Sequence, residues 1–234
     1  MAETLKEGDF VTLDYVGKVK ATGQIFDLTK EEVAKKEGIY DPNLKYGSVP
    51  VVVGGEHVLR GLDAELKKLS VGDNKTVTVV AKDAFGERDP NLVKLIPRSE
   101  FKKQNMRPIP GMPVEIQGTR GVIMTVSGGR VKVDFNHPLA GKELEYDLEI
   151  HKKIGDKVEQ IKSLFELHLA KVDTSGVKIE IKDDTAEITT PEDQKTRRYI
   201  NLTEDIVAKD IIKYISNLKQ VKFIDVFTKE ASNS

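Results

Sequence analysis

Residues 9–16 (DFVTLDYV) alternate apolar and polar positions and are rich in β-formers, which predicts a half-buried strand. Gly17 and Gly23 bracket a short second strand, with Ile25 and Phe26 near its end. The run TKEEVAKKEG then reads as a short helix: Thr29 as cap, two acids in the first turn and Gly38 as the stop. Residues 48–53 (SVPVVV) predict a strand closed by Gly54 and Gly55. Val58, Leu62, Leu66 and Leu69 are spaced four, four and three apart, one face of an amphipathic helix over 57–69. A turn at 71–73 and a strand at 75–80 follow.

After Gly86 the pattern changes. Residues 86–113 carry five prolines and little regular periodicity. Three short alternating runs come next, at 114–116, 121–126 and 130–135, separated by gaps that contain Gly118 and Gly128-Gly129, which predicts a small β-module. NHPLAGK (136–142) is a loop, and ELEYDLEI (143–150) a cleanly alternating strand. From Gly155 onward, Val158, Ile161, Phe165, Leu169 and Val172 form a helix face, and 177–181 and 186–188 flank Asp183-Asp184 as a hairpin does. Thr203 opens a second helix with Val207, Ile211, Tyr214 and Leu218 on one face, and 221–227 closes the chain with a strand. This predicts a separate α-β-β-α-β domain joined through a short polar link at 152–156, where Gly155 lies.

Composition narrows the chemistry. With no Cys, disulfides, thiol nucleophiles and Cys-ligated metals are excluded. The four histidines, His57, His137, His151 and His168, are scattered, so no metal site is expected from spacing, nor any cofactor. Lys+Arg of 37 against Asp+Glu of 38 gives no long-range pull toward nucleic acid or anionic lipid. The start, MAETLKEGDF, is polar and lacks the apolar core of a signal peptide, and no run of about 18 apolar residues exists to span a membrane. A cytoplasmic protein is expected.

The blocks VTLDYVGKVKATGQIFD, VVVGGEHVLRGLDAELKKLSVGD and AKDAFGERDP, in this order and spacing, resemble the FKBP-type peptidyl-prolyl cis–trans isomerases. The stretch from VEIQGTRG to LEYDLEI, with NHPLAGK followed by an alternating strand, resembles the SlyD-type branch, in which a chaperone module called the insert-in-flap domain interrupts the isomerase. The EEVAKKEGIYDP bulge and the added C-terminal domain look like the long archaeal members. The resemblance implies an α+β chain: an antiparallel half-barrel sheet around one short helix, an inserted small β-domain and a C-terminal α-β-β-α-β domain. The corresponding division is 1–87 with 138–152 for the isomerase, 88–137 for the insert and 153–234 for the last domain.

The implied reaction makes and breaks no covalent bond. Amide resonance sets a barrier of about 18–20 kcal/mol to X–Pro rotation, and the twisted transition state has lost that resonance and its charge separation. A dry apolar pocket therefore favours the twisted amide over the planar one. Carried over by position, the catalytic pocket comprises Tyr15, Phe26, Asp27, Leu59, Leu62, Phe85 and Tyr146, with Val58 also binding substrate. The resemblance implies that Phe26, Leu62 and Tyr146 enclose the proline ring. It further implies that the Leu59 N–H meets a substrate carbonyl, and that Asp27, held by Tyr15, orients polar atoms near the amide. On spacing alone, Phe26, Val58 and Leu62 read as core, Asp27 as a turn residue and Tyr15 as a strand aromatic. Two positions depart from the best-known members: Leu62 stands where Trp is usual, and Phe85 where a Tyr hydroxyl is common.

In the insert, Leu95, Ile96, Met112, Ile123 and Met124 are the apolar residues expected to hold unfolded chain. Three of the four Met of the protein lie in this module, and Met suits promiscuous apolar surfaces. The basic run 98–107 reads as a solvated face, since no aromatic platform accompanies it. The implied partners are unfolded or nascent polypeptides with X–Pro bonds, with no nucleic acid or membrane partner. The C-terminal domain is expected to bind clients or to form a weak homodimer. The rival reading is a binding protein on the same scaffold that has lost catalysis.

Overall fold

The computed structural model of the chain describes residues 4–170 and 172–227; the outermost residues of the expected first and last domains, 1–3 and 228–234, lie outside it. Strand β1 (Phe10–Val19) is the backbone of the first layer. It pairs antiparallel with β2 (Ile25–Leu28), β3 (Val49–Val52) and β9 (Leu144–Ile154), and β9 in turn pairs with β4 (Asn74–Val79). The resulting five-stranded sheet wraps helix α2 (Arg60–Leu66), which lays Leu62 and Leu66 onto Val11, Leu13, Val77 and Leu148. Helix α1 (Glu31–Lys36) sits in the bulge between β2 and β3.

Two local expectations fail for identifiable reasons. Thr29 does not cap α1: its hydroxyl donates to Asp14 (2.6 Å) and accepts from the Tyr15 N–H (3.0 Å), so the cap position falls to Lys30. Helix α2 is shorter than 57–69: Leu59, with φ −53° and ψ 138°, is outside the helical region and serves as its N-cap, Lys67 closes it, and the turn before it takes positive φ at Gly54 and Glu56 (76° and 58°). The turn is instead fastened to the helix by Asp63, whose carboxylate accepts the Gly54 N–H at 2.7 Å. The second strand also begins after Gly23, and Gly17 lies inside β1.

The insert is a four-stranded antiparallel sheet of β5 (Val93–Pro97), β6 (Pro113–Ile116), β7 (Thr119–Ser127) and β8 (Arg130–Asp134), in the order β5-β8-β7-β6. Gly128 and Gly129 both have positive φ, as the tight β7–β8 turn requires. Helix α3 (Arg98–Lys103) covers one face by burying Phe101 against Val114, Val131 and Val133. Both β5 and α3 lie in a stretch without legible periodicity.

In the C-terminal part, α4 (Lys157–His168) starts at Asp156, whose side chain accepts the Glu159 N–H, a regular N-cap. The hairpin of β10 (Lys178–Lys182) and β11 (Thr185–Thr189) turns at Asp183, and α5 (Gln194–Tyr214) carries the chain to β12 (Gln220–Ile224), parallel to β11. Helix α5 begins at Gln194, capped by Asp193, and not at Thr203; the Thr203 hydroxyl bonds back to carbonyls of the preceding turn. The expected polar link at 152–156 is mostly strand. Strand β9 pairs with β1 as far as Phe10↔Ile154, and Phe10, Val52 and Ile154 are buried in one cluster with Ile161, Leu164 and Phe165. The C-terminal core is thus shared with the first sheet.

Three carboxylates of this sheet sit below their usual range. Desolvation of Asp14 is outweighed by hydrogen bonds from Thr29, His151 and Ser48. Asp147 is lowered by Lys18 and Thr76, and Glu149 by Lys30. Each folded-state pKa lies below the unfolded one, so the unfolded chain takes up more protons at acid pH. Their stabilisation is present above the ordinary carboxylate pKa of about 4 and is lost as pH falls through and below it. The urea midpoint is expected to be flat near neutrality and to drop between pH 5 and pH 3; an unchanged midpoint at pH 3 contradicts the assignment.

Candidate functional site

A cleft of about 630 Å³ opens between the concave sheet and the start of α2, a volume suited to a small apolar ligand group. Every expected pocket residue lines it: Tyr15 from β1, Phe26 and Asp27 from β2, Tyr146 from β9, Val58, Leu59 and Leu62 at the helix, and Phe85 from the loop after β4. The strand period explains the convergence. Tyr15 and Tyr146 come from paired strands, in a register where Tyr15 lies opposite Leu148 and Gly17 opposite Tyr146.

The aromatic rings meet edge to face, the arrangement their quadrupoles favour. Tyr146 lies 5.8 Å from both Tyr15 and Phe26, at 60° and 86°. Phe26 lies 6.4 Å from Phe85 at 88°. Leu62 and Tyr146 are almost fully buried and form the floor, while Asp27 stands exposed at the lip. The Tyr15 hydroxyl donates to Asp27 at 2.7 Å, fixing the carboxylate. Burial, and then the Asp27 charge, raise the Tyr15 phenol far above its ordinary value; the same two causes push Tyr146 up to about 12. Both rings therefore stay neutral across the physiological range. Leu59, also on the lining, holds the N-cap position of α2, and no acceptor among the described residues takes its N–H.

Sequence reasoning missed other lining residues. His137 stacks flat on Phe85, with centroids 4.4 Å apart at 7°, so an imidazole occupies the wall where Phe85 offers no hydroxyl. Leu139 follows from the same loop, which is tied back by the Gly141 N–H to the Gly86 carbonyl at 2.8 Å. His57 and Leu167 also reach the cleft. The NHPLAGK motif marked this loop, but nothing in its spacing indicated which wall it joins. Among the described residues, the lining contains no Ser, Thr, Cys or Lys side chain. What it offers is a mostly apolar, aromatic enclosure whose lining also carries the Asp27 carboxylate, two imidazoles and the Leu59 N–H.

Gly17 has a role in this geometry. A Cβ there would stand 2.9 Å from Phe26 Cζ and 3.0 Å from Tyr146 Cε1. Gly17→Ala is expected to tilt both rings and lower kcat/KM on a prolyl peptide by about tenfold, roughly 1.4 kcal/mol, while the far-UV CD spectrum is unchanged. Wild-type turnover in this variant contradicts the packing role.

The insert residues divide. Leu95 and Ile96 line a groove of about 520 Å³ together with Leu92, Phe101, Ile116 and Phe135. Met124 is exposed beside a different hollow, near Arg88 and Lys132, and Met112 packs partly buried against the insert core. Ile123 is a correction: at 1% exposure it belongs to that core, since strand alternation turns it inward between the exposed Val122 and Met124, and it cannot present a surface.

The family model described as "FKBP26, IF domain" matches residues 94–139, and that described as "FKBP26_C-terminal" matches residues 157–228. A "Short-type peptidyl-prolyl cis-trans isomerase" of Methanocaldococcus jannaschii is 34% identical over 150 residues, 64% of this chain and 94% of that protein. A "Probable FKBP-type 16 kDa peptidyl-prolyl cis-trans isomerase" of Pseudomonas fluorescens is 39% identical over 103 residues, 42% of this chain and 67% of its own. An "FKBP-type peptidyl-prolyl cis-trans isomerase SlyD" of Aeromonas hydrophila is 38% identical over 142 residues, 60% of each chain.

Proposed function

The chain belongs to the FKBP-type peptidyl-prolyl cis–trans isomerases, and from that premise we propose that its aromatic cleft catalyses X–Pro rotation in unfolded and nascent chains that the insert holds nearby. The observation that carries this reading is the convergence of Tyr15, Phe26, Asp27, Leu62 and Tyr146 on one cleft that also carries the Leu59 N–H.

The mechanism is differential binding. A proline ring enters between Phe26, Tyr146 and Leu62, where the planar, charge-separated amide loses hydration that these walls do not replace. The twisted amide, with little charge separation, is the better fit. The Leu59 N–H holds the carbonyl on one side of the rotating bond. Asp27, oriented by Tyr15, faces the side on which the prolyl nitrogen gains a lone pair. Because Leu62 is smaller than an indole, the floor leaves more room under the proline ring.

The groove under Leu95 and Ile96 supports a chaperone role, since Leu95 is 59% exposed beside other apolar side chains. Nascent chains are the pool in which flexible X–Pro bonds are most abundant, and a cytoplasmic place of action follows from that reading. The outward face of α5 exposes Tyr199, Leu202 and Ile206, spaced as one helical stripe, which supports self-association through the C-terminal part.

The test is a protease-coupled assay on an Ala-Pro tetrapeptide. Relaxation of the cis fraction is expected to accelerate in proportion to protein concentration. Binding of the peptide without acceleration would favour the scaffold-only reading.

A further inference from the structure

His57 and His168 are separated by more than a hundred residues, yet the fold brings their rings to a centroid distance of 5.6 Å. His57 lies in the turn that leads into α2, His168 ends α4, and Asp210 comes from the last turns of α5. His168 Nε2 is 2.8 Å from Asp210 Oδ2, and His57 Nε2 is 3.7 Å from the same oxygen. One donor atom from each residue falls within 4.8 Å of the others. All three side chains are largely covered, at 12%, 19% and 16% exposure. His57 Nε2 is fully buried and, among the described residues, has no hydrogen-bond partner.

A buried ring nitrogen without a partner has few explanations, a bound ion among them. The His168–Asp210 hydrogen bond by itself accounts for two of the three groups and leaves the third aimed at them unsatisfied. A tetrahedral zinc ion with bonds of about 2.0–2.2 Å sets its ligand atoms about 3.3 Å apart. The two separations from Asp210 Oδ2, 2.8 and 3.7 Å, straddle that value, and all three ligand atoms lie within 4.8 Å of one another, close enough for an ion to draw them together. Two imidazoles with one carboxylate are a borderline-soft ligand set, matched to zinc and its neighbours more than to magnesium or calcium.

We infer that His57, His168 and Asp210 form a binding site for a divalent transition-metal ion of the zinc class, joining the rim of the prolyl cleft to the two C-terminal helices. The position gives the ion a structural consequence. His57 immediately precedes Val58 and Leu59, so an ion there fixes the rim of the cleft against α4 and α5. The Tyr214 hydroxyl approaches the Gly55 carbonyl across the same junction, at 3.5 Å.

The test uses full-length protein stripped with a chelator and titrated calorimetrically with zinc chloride at fixed neutral pH. One ion per chain is expected to bind. His168→Ala and Asp210→Asn are each expected to weaken it at least tenfold, while His151→Ala has no effect. Zinc is also expected to raise the melting temperature of the wild type and not that of His168→Gln, a variant that conserves side-chain bulk. Affinity unchanged in both His168→Ala and Asp210→Asn, or binding that vanishes only with His151, would overturn the site. So would the absence of any stoichiometric binding to the wild type.

Discussion

Excising residues 89–136 and closing the gap with a short loop is expected to leave tetrapeptide isomerisation within a few-fold of wild type. Catalysis of proline-limited refolding of a whole protein should fall by about two orders of magnitude or more. The structure makes the excision clean. The two ends of the insert lie side by side: the Asp89 N–H donates to the Asn136 side chain at 2.8 Å, Asn136 Nδ2 returns a bond to the Asp89 carbonyl at 3.0 Å, and the Phe135 N–H meets the Leu92 carbonyl. The insert core of Phe101, Val114, Ile123, Val131 and Val133 is its own and shares none of these residues with the main sheet. No catalytic-cleft residue before His137 is removed. The refolding loss follows from tethering. A chain held in the groove by Leu95 and Ile96 presents its prolines to the cleft at a high effective concentration, an effect of about 10²–10⁴-fold. A tetrapeptide is too short to use both sites. Stopped-flow refolding and the peptide assay, run on the same preparations, check this; equal loss in both contradicts the division of labour.

Truncation after Lys152 is expected to destabilise the remaining protein strongly, lowering its melting temperature by about 10 °C or more. The sequence reads as though the C-terminal domain detaches at a polar link, but the core does not. Phe10 and Val52 are 0% exposed and bury against the C-terminal helices, and Ile154 is removed with them. Uncovering a large apolar side chain costs about 1.5–3 kcal/mol, so Phe10 and Val52 together account for roughly 3–6 kcal/mol of a typical total of 5–15. The cleft keeps its aromatic residues, and peptide activity per folded molecule should persist at low temperature. Replacing the uncovered Phe10 and Val52 by polar residues in the truncated chain is expected to restore solubility. An unchanged melting temperature after truncation would show that the C-terminal core stands alone.

What the sequence made legible follows from where local signals agree with tertiary demands. The alternation in β1, β4 and β9 is plain because each strand has one face on the core. The aromatic cleft was reachable only through the resemblance, since Phe26, Leu62 and Tyr146 carry the same spacing as ordinary core residues. Strand β5 was hidden by the prolines around it and at its end, yet it is an edge strand paired only with β8 among the described residues, where a proline at the end is tolerated. Residues 152 and 153 read as linker because both are polar, but they occupy ladder positions opposite Thr12 and Val11 of β1. The start of α5 was missed because Ile200 is the one buried residue in its first two turns, and Leu202 points to solvent at 73% exposure. The pairing of His57 with His168 has no sequence signal, for it depends on how α4 packs beside β3.

The central claim is that one non-covalent cleft lowers the barrier to X–Pro rotation through Asp27 and the aromatic floor. The most direct measurement is two-dimensional NMR exchange spectroscopy on an Ala-Pro tetrapeptide, with wild type, Asp27→Ala and Tyr146→Ala compared at matched saturation. The account predicts cis–trans exchange accelerated by the wild type and lowered about tenfold or more in each variant, a loss of roughly 1.4 kcal/mol, with both variants folded and still binding the peptide. Exchange at the wild-type rate in folded Asp27→Ala and Tyr146→Ala would place the catalysis elsewhere in the molecule.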